Sequence, residues 1–211
     1  MPSELEARFG QIDIYLFDQI LRGRIDASMR VLDAGCGWGR NLVYFLQSGY
    51  DVCAADADAA SISWVRQLAA THAPRLPAAN FRVEPIEQMS FEDACADVVI
   101  SSAVLHFAKD DRQFSALLRG TWRVLKPGGL MFCRLASVIG MEHRMRPIHS
   151  DGGRRFLLPD GTERYLVDES MLLELTRELG GELLDPLKTT IVQDQRCMTT
   201  WVVRKDSTPP S

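Results

Sequence analysis

The sequence predicts an α/β fold: a doubly wound, mostly parallel sheet of seven strands with an antiparallel hairpin at its C-terminal end. Short apolar runs alternate with helical patterns between about residues 29 and 135, which is typical of βαβ units with right-handed crossovers. The run at residues 97–100 has a continuous β-branched apolar character, which suits a parallel strand covered on both faces. Two β-rich runs, 182–192 and 196–204, are separated by only three residues, which favours a closing hairpin.

The five strands of the parallel part are predicted from apolar runs bounded by turn residues. These runs lie at residues 29–34, 51–55, 81–83, 97–100 and 130–135. The last one follows Lys126-Pro127-Gly128-Gly129, a sequence that ends the preceding helix.

Helices are predicted where apolar residues recur every three or four positions. They lie at residues 11–22, 40–47, 58–71, 112–125 and from the cap Asp168 to Gly180. Gly49 closes the second of these, and Phe114, Leu117 and Leu118 set the helical spacing of the fourth. The segment 136–166 keeps no such pattern, so we predict an irregular structure there.

Composition indicates one ordinary domain. The chain has 211 residues, 46% of them hydrophobic and 25% charged, which predicts a single domain over 1–205 and a disordered tail over 206–211. The net charge of −4 argues against a nucleic-acid partner, because dedicated nucleic-acid-binding domains are normally basic. Oligomeric state is left open between a monomer and a homodimer.

Cysteine usage and the absence of long apolar stretches predict a location. The five cysteines include no C-x-x-C pair, so neither a disulfide framework nor a zinc ribbon is indicated and a reducing compartment is expected. No apolar stretch reaches the roughly 18 residues of a membrane span, and the N-terminus does not resemble a signal peptide. The predicted location is the cytoplasm, without a membrane partner.

A glycine-rich turn between the first strand and the following helix is the most informative motif. Gly35, Gly37 and Gly39 alternate with other residues where a strand enters a tight turn. Glycine permits positive φ angles and lets a ligand approach the backbone, whereas the alternative is a turn that binds nothing. The third glycine comes one residue too early for the G-x-G-x-x-G fingerprint of dinucleotide sites, which disfavours a nicotinamide-dependent oxidoreductase.

Two acidic residues flank this turn in the predicted fold. Asp33 precedes the first glycine by two positions, where a carboxylate would repel a pyrophosphate and suit a ligand with an ammonium group. Asp56 closes the second strand, the place of an acceptor for ribose hydroxyls. The alternatives are that Asp33 caps the turn and that Asp56 caps the next helix, although Asp58 is better placed to do so.

Four separated blocks together resemble the class I S-adenosylmethionine-dependent methyltransferases, in that family's order and spacing. The blocks are VLDAGCGWGR at 31–40, AAD at 54–56, ADVVISSAVLH at 96–106 and LKPGG at 125–129. The similarity is to the small-molecule branch, which includes ubiquinone-type and tellurite-resistance methyltransferases. It implies a Rossmann-like fold, S-adenosylmethionine as cofactor with S-adenosylhomocysteine as product, and a small-molecule substrate.

The resemblance also implies roles for residues at matching positions. The glycine turn would lie under the methionine part of the cofactor, with Asp33 at its amino group and Arg40 at its carboxylate. Asp56 would accept from both ribose hydroxyls. The remaining cofactor positions are Ala57, Ile86 and Glu87 near the adenine and Ser101 and Ser102 beside the sulfonium. Pro85 stands where the family often has an Asp that binds the adenine amino group.

Candidates for the acceptor side lie outside these blocks. His106, after the fourth strand, is the candidate general base, and the alternative is a histidine that only packs on its neighbours. The predicted lid consists of helix 11–22 and segment 136–166. The substrate candidates within it are Tyr15, Arg144, Arg146, His149 and Arg154. The arginine-rich stretch at residues 143–155 favours an anionic or carboxylate-bearing acceptor, with a solvated surface loop as the alternative. No metal site is predicted.

These observations predict methyl transfer to a small molecule, with a non-catalytic cofactor-binding module serving a partner protein as the alternative. The identity of the acceptor and the atom that is methylated do not follow from the sequence. The chemistry itself needs mostly alignment of nucleophile, methyl group and sulfur, because the sulfonium methyl is already activated.

Overall fold

A computed structural model describes residues 3–148 and 153–207 of the chain. Its main sheet has eight strands. They are β1 (Arg30–Ala34), β2 (Asp51–Asp56), β3 (Phe81–Val83), β4 (Ala96–Ser102), β5 (Leu125–Ala136), β9 (Gly181–Leu183), β10 (Lys188–Val192) and β11 (Arg196–Lys205). The order β10-β11-β5-β4-β1-β2-β3 places the parallel strands β1 to β5 side by side, and β11 is antiparallel to both of its neighbours. This confirms the predicted doubly wound sheet with its C-terminal hairpin.

The sheet has one strand more than predicted, because the run 182–192 divides in two. β9 pairs with the distal end of β11, and β10 pairs with its proximal half. Between them lies Pro186, which has no backbone N–H to donate to a ladder. The break allows Asp185 to turn inward, where it accepts hydrogen bonds from Gln19 and Arg24.

The described residues form six α-helices, which follow the predicted positions with two differences. They are α1 (Glu4–Phe9), α2 (Ile14–Leu21), α3 (Val43–Gln47), α4 (Ala59–His72), α5 (Asp111–Arg123) and α6 (Glu169–Glu178). The predicted helix 11–22 is preceded by the separate helix α1. Helix α3 begins three residues later than predicted, because residues 39–42 still form tight turns, with the N–H of Leu42 bonded to the carbonyl of Gly39.

Segment 136–166 is not irregular, contrary to the prediction. It contains a small antiparallel sheet of β6 (Arg146–Pro147), β7 (Arg155–Leu157) and β8 (Glu163–Tyr165). The turn between β7 and β8 is closed by the Gly161 N–H to Leu158 carbonyl bond, with Gly161 at φ +80°. Strands of two or three residues are too short to show an alternating pattern in the sequence.

Two apolar clusters lie on opposite faces of the sheet. One packs Phe114 and Leu118 of α5 and Leu172 of α6 against the sheet, and the other packs Phe45 of α3 and Val65 of α4. Because β1 pairs in parallel with both β2 and β4, the carboxyl ends of these three strands meet at one edge of the sheet. Ligands of open α/β sheets bind at this edge. At the C-terminus, the Asp206 N–H bonds to the Gly180 carbonyl, so the first residue of the predicted disordered tail is held by the fold; residues 208–211 lie outside the described part.

Candidate active site

The glycine turn leaves β1 at this edge with all three glycines at positive φ: +85° at Gly35, +50° at Gly37 and +72° at Gly39. A Cβ on Gly35 would come within 2.6 Å of Val104 Cγ2, so this position requires glycine for packing as well as for conformation. A Cβ on Gly37 would meet nothing within 4 Å. Gly37 therefore borders open space, and any side chain there would project into a cleft.

Asp33 is a buried carboxylate without a partner. Its residue is 1% exposed, and neither carboxylate oxygen accepts a hydrogen bond from any described residue. Burial raises the pKa of Asp33 to about 7, while the Arg40 guanidinium opposes this rise and the Asp56 charge adds to it. The alternative role as a cap of the turn is not supported, because such a cap would be hydrogen-bonded. An unpaired buried acid is costly and is best explained by a ligand with a positive group.

Asp56 fixes the turn from the end of β2. Its Oδ2 accepts from the Gly37 N–H at 2.8 Å and its Oδ1 from the Asp58 N–H at 2.9 Å. Helix α4 is capped by Asp58, whose side chain accepts from the N–H groups of Ala60 and Ser61, so capping is not the role of Asp56. Each Asp56 oxygen keeps lone-pair capacity for a hydroxyl donor from the cleft.

A cleft of about 440 Å³ collects most of the predicted cofactor residues. Its wall includes Gly35, Gly37, Asp56, Ala57, Ile86 and Glu87. Pro85 also lines it, and Phe107 contributes an exposed aromatic ring, 58% accessible, to the same wall. The cleft therefore combines an acidic end at the turn with an apolar side suited to a flat ring.

The other predicted cofactor residues lie around rather than in this cleft. Gly39 faces helix α4, where a Cβ would lie 3.0 Å from Val65 Cγ2. Ser101 is fully buried in β4 with its hydroxyl unpartnered among the described residues. Ser102 and Arg40 line a neighbouring cavity instead, and their contact with the cofactor stays a prediction.

This second cavity, of about 340 Å³, is rich in arginine. Its wall includes Arg40, Arg134, Arg164 and Arg196 together with His106 and Asp160. Ala103 lines both cavities and therefore marks the point where they meet. The sequence reasoning missed three of the four arginines, because they come from β5, β8 and β11, which are far apart in the chain. The one signal available was Arg134, the charge that interrupts the apolar run 130–135 near the end of β5.

Asp13 holds two of these arginines in place. Its fully buried side chain accepts from Arg134 Nη1 at 2.8 Å and from Arg40 Nη2 at 3.3 Å. Arg40 also donates to Ser102 Oγ at 3.0 Å. Asp13 is itself fixed as the N-cap of α2, and its backbone N–H donates to Asn41 Oδ1. The N-terminal helix thus reaches the second cavity through Asp13.

The environment of His106 argues against the predicted general base. The ring is buried, and its Nδ1 accepts from the Ala136 N–H at 3.1 Å. Burial, with the Arg164 charge adding to it, lowers the pKa of His106 to about 4, so the ring is neutral at pH 7. A neutral imidazole that accepts at Nδ1 carries its proton on Nε2. His106 can therefore donate a hydrogen bond from Nε2 but has no free nitrogen for a substrate proton.

The predicted substrate arginines do not line the second cavity. Arg154 pairs with Asp168 at 2.7 Å, and Arg144 lies 3.6 Å from Asp194 on the surface. Arg144 and Arg146 border a separate surface cavity of the small sheet. A pattern of charge along a loop does not tell which side chains point inward, so contact of these three arginines with the substrate stays a prediction.

The two remaining substrate candidates have different outcomes. Tyr15 lies behind the cavity: its hydroxyl is 2.9 Å from Thr190 Oγ1, and the Arg134 guanidinium stands 5.4 Å from its ring centre. His149 lies outside the described residues.

Among residues 3–148 and 153–207, no helix is long and apolar enough to cross a membrane.

Comparisons with known proteins agree with this arrangement. Residues 32–133 match the family model described as a methyltransferase domain. This match spans just under half of the chain and confirms the predicted resemblance to the class I S-adenosylmethionine-dependent methyltransferases. The matched part ends within β5, so the arginines of β8 and β11 lie outside it.

The similar proteins include two O-methyltransferases. A ubiquinone biosynthesis O-methyltransferase of Chelativorans sp. is 27% identical over 75% of this chain and 64% of its own length. A malonyl-[acyl-carrier protein] O-methyltransferase of Herminiimonas arsenicoxydans is 35% identical over 65% of this chain and 49% of its own. The chain thus spans less than two thirds of the length of these curated relatives.

A solved structure supports the fold. The 1,6-didemethyltoxoflavin-N1-methyltransferase of Burkholderia thailandensis, with bound 1,6-didemethyltoxoflavin and S-adenosylhomocysteine, superposes with a TM-score of 0.68. It is 22% identical and covers 93% of this chain and 80% of its own. At this identity the likeness concerns the architecture, and the site has to be argued from the residues of this chain.

Proposed function

We propose that this protein transfers the methyl group of S-adenosylmethionine to a small-molecule acceptor that is anionic. The observation that carries the proposal is the pair of adjoining cavities at the carboxyl edge of the sheet. One is lined by the glycine turn, which follows the unpaired Asp33 in the chain by two residues, and the other contains the arginine cluster. Ala103 lies between them, where the reacting groups of the two ligands would meet.

The residues of the cleft fit the cofactor. Asp33 would bind its ammonium group, which supplies the positive charge that the buried carboxylate lacks. Gly37 leaves the space over the turn free, and Asp56 would accept from the ribose hydroxyls. Ala57, Ile86 and Glu87 would enclose the adenine, with Phe107 opposite. When bound, the cofactor supplies an activated methyl group on a positively charged sulfur.

The acceptor-side residues would hold an anion and align it for in-line displacement. The segment 136–166 contributes Leu158, Asp160, Thr162 and Arg164 to the arginine-lined cavity, which supports its assignment to the substrate lid. Helix 11–22 contributes through Asp13, which holds Arg134 and Arg40. Fixing the acceptor in this way lowers the entropic part of the barrier, and displacement at the methyl carbon needs little else from the protein.

A thermal-shift experiment with S-adenosylmethionine, S-adenosylhomocysteine and NAD tests the proposal. A ligand that binds only the native state raises stability by RT ln(1 + [L]/Kd), about 2.7 kcal/mol at a hundredfold excess over Kd. Both adenosyl compounds are expected to raise the melting temperature, and NAD is not. A shift with NAD alone would refute the proposal. Binding of the adenosyl compounds without turnover of any acceptor would favour a non-catalytic module.

A further inference from the structure

Two arginines of the second cavity have no acidic partner. Arg164 and Arg196 form no ion pair within 4.0 Å in the described part of the chain; Arg164 donates to the carbonyl of Glu163 and lies 4.8 Å over the Phe107 ring. Arg134 and Arg40, by contrast, share the single carboxylate of Asp13. The cavity thus has four guanidinium groups and two carboxylates, Asp160 in its wall and Asp13 behind it. The sum of these charges is plus two. Such a cavity selects an acceptor with one or more anionic groups.

The described residues that line the same cavity include no group that is suited to take a proton. The proton of the neutral His106 ring is already on Nε2, because the Ala136 N–H occupies Nδ1. Asp160 accepts from the N–H of Thr162 at 3.0 Å and from its hydroxyl at 2.6 Å. Although burial opposes the effect, these hydrogen bonds and the nearby Arg164 and Arg196 lower the pKa of Asp160. Asp160 is therefore a weak base that is already engaged.

We propose that the reacting group of the acceptor is a carboxylate, which this site methylates to an ester without a general base. The inference rests on the methyl transfer proposed above and narrows its substrate class. A carboxyl group is ionised at neutral pH, and the surrounding guanidinium groups keep it so. A phenol or an ammonium group would first have to lose a proton, and the residues that line this cavity provide no acceptor for it.

The step balances without proton transfer. A carboxylate oxygen forms the new C–O bond to the methyl carbon while the C–S bond breaks and its electron pair remains on sulfur. A sulfonium cation and a carboxylate anion thereby become a neutral thioether and a neutral ester. His106 Nε2–H is a donor that would orient the second carboxylate oxygen. Because the ester has lost the charge that the arginines bind, the product is expected to bind more weakly than the acid.

An acceptor screen with matched compounds tests the inference. Aliphatic, aromatic and dicarboxylic acids are each incubated with S-adenosylmethionine beside their primary amides, a phenol and a primary amine. Formation of S-adenosylhomocysteine and of methyl esters is followed by mass spectrometry. We expect turnover of acids and none of the amides. Methylation of the phenol or the amine with no acid turned over would overturn the inference, and so would a protein that binds S-adenosylhomocysteine and methylates no acid.

Variants of the arginines separate this inference from the proposed function. Arg164→Gln and Arg196→Gln should each lower kcat/KM for the acid about 10- to 100-fold, because each removes a charge-assisted hydrogen bond. The affinity of Arg196→Gln for S-adenosylhomocysteine, measured by calorimetry, should stay unchanged, because Arg196 does not line the cofactor cleft. Arg119→Gln, at an exposed position of α5, is the matched control for loss of one positive charge. If wild-type protein fails to bind S-adenosylhomocysteine, the proposed function itself is refuted.

Two substitutions of His106 distinguish a donor from a base. Gln can accept from the Ala136 N–H with its amide oxygen and donate with its amide nitrogen, but it cannot take a proton. His106→Gln should therefore retain most of the activity, and His106→Leu should lose most of it. Two results together would contradict catalysis without a base. They are an equal loss of activity in both folded variants and a wild-type kcat that rises with pH as one group loses its proton.

Discussion

Asp33→Asn is the substitution with the most specific expected effect. Asp33 has a pKa of about 7 in the folded protein, against 3.8 for the free side chain, because burial disfavours its charged form. Between these two pH values the unfolded chain has released the proton and the folded protein has not, so stability falls as pH rises. The cost reaches its full value above pH 7 and amounts to about 4 kcal/mol, at 1.36 kcal/mol per pH unit.

The Asn variant removes this cost without changing the size of the side chain. At pH 8 it should be more stable than the wild type by a few kcal/mol. At pH 4, where Asp33 is largely protonated in the folded protein, the two should differ little. Urea unfolding at both pH values measures the difference. Asp51→Asn, on a side chain that is half exposed, is the control and should show no such gain.

The same variant should bind S-adenosylhomocysteine poorly. The ligand's ammonium group stabilises the ionised carboxylate, so binding by the wild type requires loss of the Asp33 proton below pH 7. Its Kd should rise about fivefold from pH 7 to pH 6. The Asn variant should bind about 10- to 100-fold more weakly than wild type at pH 8. Calorimetric titrations at pH 6, 7 and 8 measure both effects. A variant that binds like the wild type, or a wild type whose stability does not fall between pH 4 and pH 8, would refute this explanation of Asp33.

The remaining predictions concern the turn and the Asp13 network. Gly37→Val should weaken S-adenosylhomocysteine binding strongly, because the valine side chain enters the cleft. Strain at φ +50° should also lower the stability of the protein by about 1–3 kcal/mol. Unchanged affinity, measured by calorimetry, would count against the site. Asp56→Ala should weaken binding about tenfold or more, since it removes the ribose acceptor and frees the Gly37 N–H; wild-type affinity would exclude that role. Asp13→Asn should lower the free energy of unfolding, measured by urea unfolding, by about 3–5 kcal/mol, because Arg134 and Arg40 lose their shared carboxylate. A change below about 1 kcal/mol would show that solvent screens the ion pairs of Asp13.

The sheet and the cofactor cleft were largely predictable because their signals are local. Strand β4 contains the continuous apolar run 98–100, and helix α4 begins at its own cap Asp58. The segment from Val31 in the first strand to Gly39 in the glycine turn is only nine residues long. Each of these features depends on neighbours in the sequence. Asp33 and Asp56 could be placed for the same reason, since they stand at the ends of two adjacent parallel strands.

The acceptor side was not predictable in the same way because it is assembled from distant parts of the chain. Arg164 reaches the cavity from a strand of three residues, and Arg196 from the start of β11, the second strand of the C-terminal hairpin. The role of His106 is set by the backbone N–H of Ala136, thirty residues further on. No spacing rule in the sequence links these groups. The sequence therefore pointed to Arg144, Arg146 and Arg154 as substrate residues, and not to the arginines that line the cavity.

The most direct test of the proposed site is a crystal structure of the protein with S-adenosylhomocysteine. We expect the ligand in the cleft beside the glycine turn, with its ammonium group hydrogen-bonded to Asp33, its ribose on Asp56 and its sulfur toward Ala103 and the arginine-lined cavity. A ligand bound elsewhere, or one whose ammonium group leaves Asp33 unpaired, would contradict the proposed function.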